Sequence, residues 1–161
     1  MIDIVGRERL FEGKLFDVVR VGTKDLIVHG PVAAVVAVDR EDRVVLVRQD
    51  RVGAGGSLVE LPAGGVEVDE PPLAAAQREL REETGLHGGE WVEFRSFLTT
   101  PGFCDERMHL FLATGLDEGE PSPEADEELE IVRVPRDEVP ALLARIDDAK
   151  TIVGLQELLR R

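Results

Sequence analysis

Residues 64–86 read GGVEVDEPPLAAAQRELREETGL, and from residue 71 to 84 the pattern predicts a helix. Pro71 or Pro72 suits its first turn, where a missing N–H costs nothing. Asp69 or Glu70 is placed to cap it, and Gly85 to end it, since glycine readily adopts the left-handed conformation that closes a helix. Leu73, Ala76, Leu80 and Thr84 fall on one stripe at helical spacing. Glu79 stands three residues before Glu82 and four before Glu83, so all three carboxylates share a face beside that stripe. Like charges at this spacing destabilise an isolated helix by about a few tenths of a kcal/mol per pair. A divalent cation reverses that penalty, because Mg²⁺ prefers hard oxygen ligands and can also bind phosphate oxygens. Taken alone, such a stretch more often reads as a solvated acidic face, with Arg78 and Arg81 paired to neighbouring carboxylates.

Upstream, residues 14–29 read as two short strands around Gly22-Thr23. Residues 32–49 read as a hairpin, with the polar turn Asp39–Arg43 between VAAVVAV and VVLVRQ. The first of these runs is too uniformly apolar for a half-wet strand and should be buried on both faces. Gly53–Gly56 is a loop, and Leu58–Leu61 a short strand that ends at Pro62. Downstream, residues 90–99 and 107–114 read as strands, with Trp91, Phe94 and Phe97 as core. Residues 115–128 form an acidic, proline-containing loop. Leu129–Val134 alternates like a strand, and two short helices follow near 136–147 and 151–160. Strands, helix, strands, helices in that order predict an α+β fold with a mixed sheet between helices, not a regular βαβ repeat.

A chain of 161 residues suggests one domain large enough to bury a core without staples. Its net charge of −14 repels nucleic-acid backbone, so no nucleic-acid partner is expected. The longest apolar run, Val32–Val38, falls far short of the roughly 20 residues that span a bilayer, so no membrane partner is expected either. The opening MIDIVGRERLFEGK has no apolar core of signal-peptide length, and Cys104 is the single cysteine. Both fit a reducing, cytoplasmic setting. His29, His87 and His109 are isolated and give no metal spacing.

The window also satisfies every specified position of G-x₅-E-x₇-R-E-U-x-E-E-x-G-U, where U is aliphatic. It runs from Gly64 through Glu70, Arg78, Glu79, Leu80, Glu82, Glu83 and Gly85 to Leu86. On these residues the chain resembles the Nudix hydrolase family. The resemblance implies an α/β/α sandwich with a mixed sheet, in which the box forms a strand, a loop and a helix. It implies that Glu79, Glu82, Glu83 and the carbonyl of Ala63 hold Mg²⁺, with Mn²⁺ as the alternative. Gly64 and Gly65 would let the backbone turn tightly toward the metal. Arg78 would orient the box glutamates, and Glu70 would brace the loop.

Three further stretches resemble the ADP-ribose pyrophosphatase branch. VRQDR (47–51) followed by LVELPAGGVEVDE (58–70) matches its lead into the box, except that Asp50 replaces the usual aromatic. Pro101, in TTPGFCDE (99–106), follows Leu86 by fifteen residues, where the branch commonly has a proline. The run Glu124-Ala-Asp-Glu-Glu-Leu-Glu resembles an acidic loop whose glutamate activates the attacking water. That implies Glu127 first and Glu128 second as catalytic base, against an ordinary solvated loop. Arg51 stands where the branch has a phosphate-binding arginine, since a guanidinium grips two phosphate oxygens at once; a surface ion pair is the competing role. In this branch the N-terminal region exchanges between subunits and helps to sandwich the adenine. Phe11 and Arg20 are candidates for that contact, although core packing is the first expectation for Phe11 and Phe16. Cys104 reads as a bystander, with no nearby Cys-His signature.

The resemblance therefore implies a homodimer. Residues 1–30 would be N-terminal strands that exchange between subunits, and residues 31–161 a hydrolase domain with its box at 64–86. The implied partner is a small nucleoside diphosphate substrate, and the implied reaction is Mg²⁺-dependent hydrolysis of ADP-ribose to AMP and ribose 5-phosphate. The alternatives are GDP-mannose, another nucleotide sugar or a dinucleotide as substrate, or a non-catalytic nucleotide-sensing domain. Such sensor domains usually lose box glutamates, and all are present here.

Overall fold

The computed structural model describes residues 7–123 and 128–161. At its centre is the apolar strand β4 (Pro31–Val38), which runs parallel to β9 (Arg107–Thr114) along one edge. Along its other edge β4 has two antiparallel partners in turn. Ala37 and Val38 pair with the start of β5 (Arg43–Arg51), and Val32 to Ala34 pair with β7 (Ala63–Gly65). β5 splays away from β4, and its far half pairs with β6 (Gly56–Glu60) instead. The wedge between them holds the bend Leu61-Pro62, where the Val35 amide donates to the Pro62 carbonyl at 2.9 Å. With β8 (Glu90–Leu98) and β10 (Glu130–Pro135) outside, the result is a 7-stranded mixed sheet ordered β10-β5-β4-β9-β8, with β6 on β5 and β7 on β4.

Alternate residues of β4 serve opposite cores. Ala33, Val35 and Ala37 pack with Ala75, Ala76 and Leu80 of α1 (Pro72–Thr84). Ala34, Val36 and Val38 pack with Val139 of α2 (Val139–Leu143) and with Leu155 and Leu158 of α3 (Ala149–Leu159). Both faces of the strand are thus dry, as its unbroken apolar run requires. Helix α3 crosses the sheet at Gly154, where any side chain would run into Leu61. Truncating a fully buried member of this packing, such as Leu80→Ala, costs about 2–5 kcal/mol. The expected α+β sandwich, a mixed sheet between helices, is met.

Several local expectations change. Neither Asp69 nor Glu70 caps α1. Pro71 occupies the N-cap in an extended conformation with no side-chain bond, because the Glu70 carboxylate is already taken by Arg78 and by the Glu67 amide. Leu73 is exposed, and Ala75, Ala76, Leu80, Glu83 and Thr84 form the buried face. Trp91, Phe94 and Phe97 are only partly buried and lie on opposite sides of the sheet. A bulge between Glu93 and Arg95 inserts one residue, so alternation changes face partway along β8.

The N-terminal region adds a strand that the sequence did not suggest. β1 (Glu8–Glu12), β2 (Asp17–Val21) and β3 (Lys24–Val28) form a separate antiparallel sheet. Phe11 and Phe16 are not core residues: they are 54% and 36% exposed. β1 is exposed along its whole length, so the two rings pack on each other, with centroids 6.3 Å apart. β3 ties this sheet to the body, since the Ile27 amide donates to the Phe103 carbonyl at 2.7 Å and the Asp105 amide to the Ile27 carbonyl at 3.1 Å. Among the described residues no helix is long and apolar enough to cross a membrane.

Candidate active site

Helix α1 ends at Gly85, whose φ of 77° is the left-handed closure expected of it. Arg78, in its middle, is the hub of the acidic face. Its Nε donates to Glu70 Oε1 at 3.1 Å and its Nη2 to the Gly65 carbonyl at 2.9 Å. Its Nη1 donates to Glu79 Oε1 at 2.6 Å and to Glu82 Oε2 at 3.3 Å. One guanidinium therefore ties the loop to two of the three box carboxylates. The hydrogen bonds to Glu70 are the main reason the Arg78 pKa is raised, and they hold the Glu70 carboxyl below its ordinary range.

The glycine loop and the helix meet directly. A Cβ on Gly64 would overlap the Glu79 carboxylate, so a larger residue there would push that carboxylate out of its present place. Glu83 is 3% exposed and accepts from the Ala63 amide at 3.2 Å. Glu79 and Glu83 thus sit at the start of the loop, while Glu82 lies further out. Among the described residues no three His, Cys, Asp or Glu side chains are grouped to hold a metal. Glu79 and Glu82 instead turn to the Arg78 guanidinium, the cation that offsets their mutual repulsion. The donor set is nonetheless all oxygen, and Gly64 brings a bare stretch of backbone against a carboxylate. Both features fit a hard divalent cation.

Beside the loop opens a cleft of about 490 Å³, lined by Arg51, Ala63, Gly64, Gly65, Phe103 and Lys150 among others. Arg51 makes an ion pair, but with a buried acid rather than a surface one. Its Nε and Nη2 reach the two oxygens of Glu60 at 2.9 and 3.0 Å, and Glu60 is 1% exposed. Lys150 also donates to Glu60, and lies 3.1 Å from Asp148. Burial by itself pushes the Glu60 carboxyl up; the hydrogen bonds and charges of Arg51 and Lys150 outweigh it and leave it below the ordinary value. The bond to Glu60 raises the Arg51 pKa, and the charge of the box residue Glu83 adds to this.

Lys150 reaches the cleft because α3 is docked at its first turn. Asp148 caps the helix by accepting from the Thr151 amide at 3.0 Å, and Thr151 Oγ1 accepts from the Leu61 amide at 2.8 Å. Neither Glu60 nor Lys150 stood out in the sequence. The available signal was one acid inside the short apolar strand Leu58–Leu61, directly before Pro-Ala-Gly-Gly.

The segment entering the acidic run is held against the end of α1. The Ser122 amide donates to the Glu82 carbonyl at 2.8 Å, and Gly119 packs on Gly85 with no room for a side chain. His87 and Asp117 exchange backbone hydrogen bonds at 3.0 and 2.9 Å. Glu127 lies outside the described residues, and Glu128 is exposed. Pro101 lines a neighbouring cavity of about 510 Å³ with Leu26 and Leu98, not the cleft; Thr100 and Cys104 from the same loop do line the cleft. Burial pushes the Cys104 thiol up, which suits a bystander better than a nucleophile. Arg20 and Phe11 lie on the N-terminal sheet, Arg20 bonded to Asp25 at 2.9 Å, and neither lines the cleft of its own chain.

Residues 28–154 match the NUDIX domain. The chain is 37% identical over 139 positions to a methanol dehydrogenase activator of Bacillus methanolicus, covering 84% of this chain and 75% of that protein. It is 33% identical over 167 aligned positions to an ADP-ribose pyrophosphatase of Bacillus subtilis (strain 168), covering 96% and 90%. A crystal structure of an ADP compounds hydrolase superposes with a TM-score of 0.81 at 20% identity, covering 97% of this chain and 92% of that one. At that identity the structural likeness speaks for the fold.

Proposed function

The chain belongs to the NUDIX domain family and is a hydrolase, and from that premise we propose that it cuts the pyrophosphate bond of ADP-ribose, or of a related nucleoside diphosphate sugar, with Mg²⁺. The products are AMP and ribose 5-phosphate. The observation that carries the reading is a single cleft in which Arg51 lies with Ala63–Gly65, the short strand β7 against which Glu79 and Glu83 are packed.

Glu79, Glu82, Glu83 and the Ala63 carbonyl would hold the metal; when bound there, it supplies charge neutralisation at the phosphoryl oxygens and a more acidic water. Arg51 binds the diphosphate, kept in place by its two bonds to Glu60. Water adds to one phosphorus, the bridging P–O bond breaks, and the second phosphate leaves with its electron pair. Glu127, or Glu128 in its place, takes the proton from that water. Arg78 holds the acidic face together and touches no reacting atom. The same reading carries a homodimer in the cytoplasm, with Phe11 and Arg20 serving the partner's adenine and Pro101 shaping the site's edge.

The test is AMP release from ADP-ribose by the purified full chain with Mg²⁺, beside GDP-mannose, dinucleotides and nucleoside triphosphates, with EDTA controls. EDTA-sensitive AMP release from ADP-ribose is the expected result. In Glu83→Gln, turnover falls about a hundredfold or more, since several kcal/mol of charge stabilisation go with the metal. Folding is kept, because the amide oxygen still accepts from Ala63. Turnover of another compound alone rejects ADP-ribose, and near-wild-type turnover by Glu83→Gln rejects the metal assignment.

A further inference from the structure

Arg51 and Lys150 come to the cleft from different elements, the end of β5 and the first turn of α3, yet share one carboxylate. Glu60 does not line the cleft; it stands behind the wall with both oxygens already engaged by Arg51. One guanidinium bonded in this fork neutralises one buried carboxylate, so Glu60 has no need of Lys150 as a counter-ion. Asp148, which also lines the cleft, meets Lys150 through Oδ1 while its Oδ2 caps α3. An ammonium has three donors; Glu60 takes one, and Asp148 Oδ1 faces a second side of the ammonium at 3.1 Å as an ion pair. The third N–H of Lys150 and the Nη1 group of Arg51 are left for a ligand, among the described residues, in the cleft that also contains Gly64 and Gly65.

We propose that Lys150 is a second substrate-phosphate contact: Lys150 and Arg51 together bind the oxygens of a diphosphate, with Glu60 fixing both cations to one buried anchor. This rests on the reading of the cleft as a nucleoside diphosphate site. A guanidinium fork sets direction, and a compact ammonium adds a rotatable point charge, so the pair suits two linked phosphates better than either cation alone.

The experiment titrates inorganic pyrophosphate into the full chain by calorimetry, once in EDTA and once with Mg²⁺. The variants are Lys150→Met, Lys150→Gln and Lys150→Arg. The glutamine amide still donates to Glu60, so it keeps the buried acid satisfied if the methionine variant fails to fold. Met and Gln are expected to weaken pyrophosphate binding about tenfold or more, the scale of one charge-assisted hydrogen bond. Arg is expected to restore it to within about threefold of wild type. Met or Gln variants that melt like the wild type and bind pyrophosphate equally well would make Lys150 a structural counter-ion and overturn the proposal. So would a wild-type chain that takes up no pyrophosphate in either condition. ADP-ribose hydrolysis by the same preparations separates the two readings. Lys150-dependent pyrophosphate binding in a chain that leaves ADP-ribose intact supports the phosphate contact and rejects the substrate.

Discussion

The Glu79 carboxylate rests against the Cα of Gly64, so closely that a methyl group on Gly64 would overlap it. The loop that opens the box and the helix face that carries its acids are therefore one packed unit. Ala63 and Glu83 extend the contact through the hydrogen bond of 3.2 Å between them.

Gly64→Ala must displace either the loop backbone or the carboxylate. A shift near 1 Å at a reacting centre costs about a hundredfold in rate, so AMP release should fall by about that factor. Helix content by circular dichroism should stay close to that of the wild type, since α1 itself is untouched. Full turnover by Gly64→Ala would mean that the contact between loop and helix has no part in the chemistry.

Ser122→Pro removes the N–H that ties the acidic loop to the Glu82 carbonyl. The bond is worth about 1 kcal/mol net, or roughly fivefold in rate if the loop must be held there for reaction. The expected outcome is a kcat lowered by about that factor with KM for ADP-ribose nearly unchanged, read from steady-state kinetics. A raised KM at constant kcat would place the loop in ground-state binding instead.

Glu60 makes stability depend on acid. Its carboxyl is held below the ordinary 4.5, because Arg51 and Lys150 outweigh the effect of burial. A carboxyl lower in the folded chain than in the unfolded one stabilises above the unfolded value and loses that contribution as the pH falls through the folded one. The wild-type melting temperature should therefore hold from neutral pH down to about 5 and then decline. Glu60→Gln takes away the charge that Arg51 and Lys150 share, leaves Lys150 with Asp148 alone, and should lower the melting temperature at neutral pH. Its decline below pH 4.5 should be shallower. It will not be flat, since Asp39, buried but held low by Arg43, Arg133 and nearby backbone amides, titrates in the same direction. Parallel pH curves for the two proteins would show that Glu60 carries none of the acid sensitivity.

What could be read from the chain directly was what depends on local spacing. The central hairpin, helix α1 with its glycine stop, and a strand dry on both sides all follow from runs of a few residues. Elements that depend on partners distant in sequence leave no such local mark. β1 is one, because an exposed strand has no apolar alternation to announce it. The bulge in β8 is another: it separates Trp91 from Phe94 and Phe97 across the sheet although their spacing suggests one buried strand. The cap of α1 is a third, decided by the competing claim of Arg78 on Glu70.

The sequence by itself determined that Glu79, Glu82 and Glu83 share a helix face, because a period of 3.6 residues leaves no other arrangement. Only the tertiary structure decided what that face meets. β5 splays from β4 and admits the bend at Leu61-Pro62, which brings Ala63 and Gly64 under Glu83 and Glu79. The same bend is tied to α3 through the bond from Leu61 to Thr151, and so places Lys150 beside Glu60. No spacing rule spans residues so far apart in the chain. Strand pairing and the docking of α3 bring the two together, and a buried carboxylate then holds the cations that those elements deliver to it.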